Sequence, residues 1–116
     1  YRNLVDLYFN LKMPDRAIES VDACIAHARE SGQRDEMIEF LEDVLSENSD
    51  QAILHHRLAV QYQQAGRTED AVQHFDRAGD LLLDAGDKVG AKEMIEKIVQ
   101  LNPSDREQYE ELLQSL

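Results

Sequence analysis

Residues 58–78, LAVQYQQAGRTEDAVQHFDRA, place small side chains at regular points within two stretches of helical pattern. Ala59, Ala71 and Ala78 lie among large apolar side chains, and Gly66 divides the stretch near its middle. Helix axes pack about 8–10 Å apart, and the close end of that range requires a residue with little side chain at the crossing. The stretch therefore predicts two helices, joined at the glycine, that pack closely through their alanines.

The same helical pattern continues along the whole chain. Apolar residues recur every three or four positions, and no stretch alternates with the period of two that a half-buried strand requires. The sequence predicts an all-α chain of about seven helices. Their expected spans are 1–11, 15–31, 34–47, 51–65, 68–85, 88–101 and 104–116.

Proline, glycine and capping residues mark the expected helix ends. Pro14 suits the first turn of a helix, because its missing N–H is not needed there. Left-handed backbone that ends a helix is expected at Gly32, Gly66 and Gly86. Ser104 and Glu107 have the spacing of a capping box, which predicts that the last helix starts at Ser104.

The chain resembles itself when it is shifted by 54 residues. Nine of the 62 ungapped pairs are identical, namely Leu4/Leu58, Tyr8/Tyr62, Ala17/Ala71, Asp22/Asp76, Gly32/Gly86, Glu39/Glu93, Glu42/Glu96, Asn48/Asn102 and Leu58/Leu112. The predicted helix ends coincide as well, so the sequence predicts a three-helix internal repeat. We expect units at about 1–49 and 50–103, and the start of a third at 104–116, within a single helical repeat domain, 1–116. Because the chain begins at Tyr1 rather than Met, we expect it to be a fragment of a longer protein.

Two motifs carry a resemblance to a known family. They are His55-x2-Leu58-Ala59-x2-Tyr62 in one predicted helix and Ala71-x3-Phe75-x2-Ala78 in the next. They resemble the Trp-x2-Leu-Gly-x2-Tyr and Ala-x3-Phe-x2-Ala patterns of the tetratricopeptide repeat, a helix–turn–helix module of about 34 residues. The resemblance implies an α-solenoid of antiparallel helix hairpins. An armadillo-like repeat of three helices is the competing arrangement.

The resemblance also implies where a partner would bind. In the family, first helices form a concave surface that holds a peptide or another domain. The corresponding positions are Arg2, Asn3, Asp6, Phe9 and Asn10 in the first unit, and His56, Arg57, Val60, Gln63 and Gln64 in the second. We therefore expect a scaffold for protein–protein interactions and not an enzyme. Two alternatives remain open: self-association as a homodimer through exposed terminal helices, or a regulatory arm of a larger enzyme or transcription regulator.

Composition limits the partners and the compartment. The 24 acidic and 12 basic residues give a formal net charge of −12, which repels the phosphate backbone of nucleic acids. No apolar run approaches the roughly 20 residues that cross a bilayer, so no membrane association is expected. Cys24 is the only cysteine, which excludes an internal disulfide and fits the cytoplasm.

Candidate catalytic and metal-binding residues are few. His55 and His56 are adjacent and point about 100° apart on a helix, so they are poorly placed to bind one metal ion. We expect His55 to pack in the core and His56 to be exposed, while Cys24 serves as a small apolar side chain. An acidic stripe at Asp35, Glu36, Glu39, Glu42, Asp43 and Glu47 indicates a solvated helix face. We expect no catalytic residue, no cofactor and no metal.

Overall fold

The computed structural model describes residues 2–116, with side chains from Leu4 onward. These residues form seven α-helices and no strand, which confirms the predicted all-α class. The helices are α1 (Arg2–Asn10), α2 (Pro14–Ser31), α3 (Arg34–Glu47), α4 (Ala52–Gln64), α5 (Thr68–Asp84), α6 (Lys88–Gln100) and α7 (Arg106–Ser115). Every described end lies within two residues of its predicted position. Tyr1, the predicted start of the first helix, lies outside the described residues.

The residues expected to mark helix ends do so in all places but one. Pro14 occupies the first turn of α2, and Gly32, Gly66 and Gly86 have left-handed backbone with φ of 73°, 78° and 83°. The capping box predicted at Ser104 is wrong, because α7 begins two residues later and no side chain caps it. A turn delays that start, since the N–H of Arg106 donates to the carbonyl of Pro103 at 3.2 Å.

The chain divides into two compact units. The first unit contains α1–α3 and ends at Asn48, and the second unit, Ser49–Leu116, contains α4–α7. The largest fully buried side chains are Val5, Val21, Leu41 and Val44 in the first unit, and Leu54, Leu58, Phe75 and Ile98 in the second. In the second unit, α5 packs between α4 and α6, and α7 packs on α6 without burying any of its own residues.

The turn between the first two helices is the same in both units. The N–H of Met13 donates to the carbonyl of Tyr8 at 2.8 Å. In the second unit the N–H of Arg67 donates to the carbonyl of Tyr62, also at 2.8 Å. The residue before each donor has left-handed backbone, with φ of 57° in the first unit and 78° in the second. The 54-residue offset found in the sequence is therefore present in the turn geometry.

Core positions recur at the same offset. Seven pairs are buried in both units: Val5/Ala59, Ala17/Ala71, Val21/Phe75, Ile25/Gly79, Met37/Ala91, Leu41/Ile95 and Val44/Ile98. Ala59, Ala71 and Ala78 are completely buried, as close packing between helices requires. The identical pair Leu4/Leu58 is an exception, because Leu4 is 41% exposed whereas Leu58 is fully buried.

Candidate partner-binding surface

The five contact residues predicted on α4 lie together on its accessible face. His56, Arg57 and Val60 are half-buried, and Gln63 and Gln64 are exposed. The buried residues of the same helix are Leu54, His55, Leu58, Ala59, Gln61 and Tyr62. At about 100° per residue, these two sets occupy opposite faces of the helix without overlap. We refer to the five accessible residues as the α4 stripe.

The contact residues predicted on α1 are only partly described. Asp6 and Phe9 are half-buried and Asn10 is exposed. These three residues have the same register as the last three of the α4 stripe. The side chains of Arg2 and Asn3 lie outside the described residues.

Two members of the α4 stripe hold each other in place. Arg57 Nη1 lies 3.0 Å from His56 Nδ1, and because a guanidinium can only donate, Nδ1 accepts this hydrogen bond. The His56 ring packs against Phe75 with ring centroids 6.0 Å apart. This contact explains why His56 is half-buried rather than exposed, which corrects the prediction made from its position in the sequence.

A pair of histidines links the buried face of α4 to α5. His55 is buried, as predicted, and its Nε2 lies 2.9 Å from the carbonyl oxygen of Ser49. A carbonyl only accepts, so Nε2 carries the hydrogen and the Nδ1 of neutral His55 is an acceptor. His74 Nδ1, which lies 3.0 Å from that atom, is then the donor.

The rings of His55 and His74 are also stacked, with centroids 5.3 Å apart, and this stack extends beyond the histidine pair. The rings of His74 and Tyr62 are stacked with centroids 5.5 Å apart, and the Arg67 guanidinium lies 4.5 Å from the centroid of the Tyr62 ring. Burial lowers the pKa of His55, and the positive charge of Arg77 lowers it further, while the hydrogen bond to Ser49 opposes both effects. The fold therefore favours the neutral form of the His55 imidazole.

A groove opens beside the α4 stripe, where α4 begins, α5 ends and α6 begins. Its volume is about 200 Å³. Its lining residues are Ala52, Ile53, His56, Leu82, Asp87, Gly90, Glu93 and Met94. We call it the second-unit groove. His56 belongs to both the groove and the stripe, so the two form one continuous surface.

The other sequence features have ordinary structural roles. All six acidic residues of the stripe on α3 are exposed, which confirms a solvated face. Cys24 is half-buried, and burial raises the pKa of its thiol. Among the described residues, no group of three or more His, Cys, Asp or Glu side chains is arranged to hold a metal ion. Within the same part of the chain, no helix has the length and apolar character needed to cross a bilayer.

No protein-family model matches the chain, and no curated protein is significantly similar to it. The resemblance to the tetratricopeptide repeat therefore rests on the two motifs in α4 and α5 and on the 54-residue repeat.

Proposed function

We propose that this chain is a protein–protein interaction scaffold that binds a peptide or a partner domain along the α4 stripe. The observation that supports the proposal is the division of α4 into a buried face and an accessible face that carries all five predicted contact residues. In the first unit, the equivalent accessible residues of α1 are Asp6, Phe9 and Asn10, which we assign to a contact surface of that unit. In this proposal the units are antiparallel helix hairpins of a tetratricopeptide-like α-solenoid, the protein is cytoplasmic, and it has no catalytic activity.

The chemistry of the α4 stripe suits an extended peptide. Gln63 and Gln64 carry amide groups that can donate to and accept from a peptide backbone, and Arg57 adds a guanidinium for a carbonyl or carboxylate group. Val60 supplies apolar contact between them. The formal net charge of −12 disfavours nucleic acid as the partner.

The test combines crosslinking with charge reversal. A photo-crosslinking amino acid at Gln63 identifies the partner in cells, and the affinity of this purified partner is then measured for the wild-type chain and variants. Arg57→Glu combined with Gln64→Glu should weaken binding at least about tenfold, a loss of about 1.4 kcal/mol. Gln73→Glu with Arg77→Glu makes the same changes on the exposed face of α5 and serves as the control. Undiminished binding by the first double variant would refute the assignment.

Self-association is a second candidate, favoured by exposed leucines in α1, in the turn that follows it and in α7. Leu7 is 50% exposed and Leu11 is 57% exposed, and Leu112 on α7 is 37% exposed. Exposed apolar side chains at either end of the chain can pair between two copies of it. Light scattering over a concentration series tests this candidate. A mass that rises with concentration, and that returns to the monomer value in Leu7→Glu, would support it over the scaffold.

A further inference from the structure

We propose that the second-unit groove receives one large apolar side chain of a peptide whose neighbouring residues are Lys or Arg. This inference rests on the proposed function and names the class of partner. It follows from the size of the groove, its lining, its charge and its position beside the α4 stripe.

The size of the groove limits its occupant. Pockets that enclose small molecules or cofactors have volumes of about 300–1,000 Å³, whereas this groove measures about 200 Å³. The side chains of Ile53, Leu82 and Met94 make most of its surface apolar. A single Leu, Met or Phe side chain matches such a space better than a whole ligand does.

The charge around the groove indicates which residues flank the apolar side chain in the bound peptide. Asp87 and Glu93 are its only charged lining residues. The N–H of Gly90 donates to Asp87 Oδ1 at 2.9 Å, which fixes this carboxylate at the start of α6. The α6 lysines, Lys88, Lys92 and Lys97, do not line the groove. An apolar side chain flanked by cationic residues would therefore meet a complementary rim.

The first unit has a depression at the equivalent position of the repeat. Comparison of the two shows which features belong to the second-unit groove alone. The first depression measures about 110 Å³. Four of its lining residues, Ala28, Gln33, Glu36 and Phe40, correspond to Leu82, Asp87, Gly90 and Met94 at the 54-residue offset. The depression is thus a property of the packed helix pair, whereas the second-unit groove is larger and has a wall from α4. Through His56 that wall joins the α4 stripe, so a peptide on the stripe can reach the groove.

The experiment is a selection from a phage-displayed library of random 12-residue peptides on the intact chain. Enriched peptides are synthesised and their affinities measured at low salt. They are compared for the wild-type chain, Glu93→Lys, Ile53→Asn and the control Glu96→Lys, which changes an exposed acid of α6 outside the groove. Circular dichroism confirms that each variant is folded.

The expected result has two parts. Enriched peptides should share a large apolar residue next to Lys or Arg, and they should bind about tenfold more weakly to Glu93→Lys and to Ile53→Asn but not to Glu96→Lys. If peptides bind unchanged to both groove variants but lose affinity for Gln63→Ala with Gln64→Ala, which truncates the α4 stripe without changing its charge, the groove assignment is overturned and the proposed function stands. A selection without enrichment would overturn the groove assignment, whereas the crosslinking experiment with Arg57→Glu and Gln64→Glu decides the proposed function.

Discussion

Lys12 has left-handed backbone at a position where the second unit has a glycine. Its φ is 57°, and the residue at the same point of the second unit is Gly66, with φ of 78°. Left-handed backbone destabilises a residue with a Cβ atom by about 1–2 kcal/mol, whereas glycine adopts it without this steric strain. The first unit therefore contains a strained turn that the second unit avoids.

Replacing Lys12 with glycine should stabilise the chain. Relief of the backbone strain is partly offset because glycine makes the unfolded chain more flexible. We therefore expect the free energy of unfolding to rise by about 0.5–1 kcal/mol. Gly66→Ala is the reciprocal control and should lower the free energy of unfolding by about 1 kcal/mol, because alanine is strained at a φ of 78°. No atom near Gly66 would crowd the new side chain, so backbone strain is the whole of the expected loss. Urea denaturation measures both changes, and a Lys12→Gly variant that is less stable than wild type would contradict the prediction.

The histidine pair gives the second unit a defined dependence on pH. The pKa of folded His55 lies below its ordinary value of 6.5, so the unfolded chain binds the proton more readily. This contribution to stability is fully present above pH 6.5 and is lost as the pH falls from there toward the folded pKa. Protonation of His55 at Nδ1 would also convert that acceptor into a donor that faces the Nδ1–H of His74, so the hydrogen bond to this tautomer of His74 would be lost.

We therefore expect the free energy of unfolding to fall between pH 7 and pH 5 in the wild-type chain, with a smaller fall in His55→Gln. Glutamine can still donate to the Ser49 carbonyl but does not titrate in this range. Chemical denaturation at a series of pH values measures the difference between the two curves. Parallel curves would show that His55 does not couple folding to pH.

The last helix is the least firmly packed element of the described chain. None of the residues of α7 is buried, and its side-chain link to α5 is the Tyr109 hydroxyl, which donates to Asp76 Oδ1 at 3.2 Å. Burial and the charge of Asp76 raise the pKa of Tyr109 to about 12, so the phenol remains a donor at neutral pH. This hydrogen bond therefore adds to the packing of α7 on α6.

Tyr109→Phe should loosen α7 while leaving α4–α6 intact. Loss of the hydrogen bond costs about 0.5–1.5 kcal/mol, which corresponds to roughly two- to tenfold faster amide exchange within α7. Hydrogen–deuterium exchange resolved to residues 106–115 measures the effect, and the amides of α5 serve as the internal reference. Unchanged exchange in α7 would mean that other contacts hold the helix.

The limits of helices were predictable because they depend on neighbouring residues. Pro14, Gly32, Gly66 and Gly86 restrict or permit particular backbone angles wherever they occur, and the structure follows them. Ser104 failed as a cap because a competing turn, closed by the Pro103 carbonyl, moved the start of α7.

Features that depend on packing between distant residues could not be predicted. His55 and His74 are 19 residues apart, and nothing in their local sequence indicates that their rings meet. The second-unit groove likewise requires residues from three helices. By contrast, the residues of the α4 stripe could be predicted from the resemblance to the tetratricopeptide repeat, and helical periodicity keeps them apart from the buried residues of the same helix.

The repeated core allows the two units to be compared by equivalent substitutions. Phe75 and Val21 are both fully buried and occupy the same position of the repeat. Phe75→Ala should cost about 3–5 kcal/mol, and Val21→Ala about 2 kcal/mol because fewer carbon atoms are lost. Val89→Ala, at a side chain that is 71% exposed, should leave stability nearly unchanged. Equal losses at the two buried positions, measured by urea denaturation, would show that their surroundings are not equivalent.

The net charge of the whole chain opposes its folding. With a formal charge of −12, the compact state brings like charges closer together than the unfolded chain does. Added salt screens this repulsion, since the Debye length falls from about 30 Å at 0.01 M to about 3 Å at 1 M. Salt also weakens the exposed Arg67–Asp70 and Arg106–Glu110 pairs, but such pairs contribute at most about 1 kcal/mol each.

We therefore expect the melting temperature to rise between 0.01 M and 0.5 M NaCl. Replacing two exposed acids of α3, by Glu39→Gln and Asp43→Asn, changes the net charge from −12 to −12 + 2 = −10. This variant should melt at a higher temperature in low salt and gain less from added salt, because less repulsion remains to be screened. Differential scanning calorimetry at both salt concentrations measures the two gains. A melting temperature that falls with salt would mean that attractive charge pairs outweigh the net repulsion.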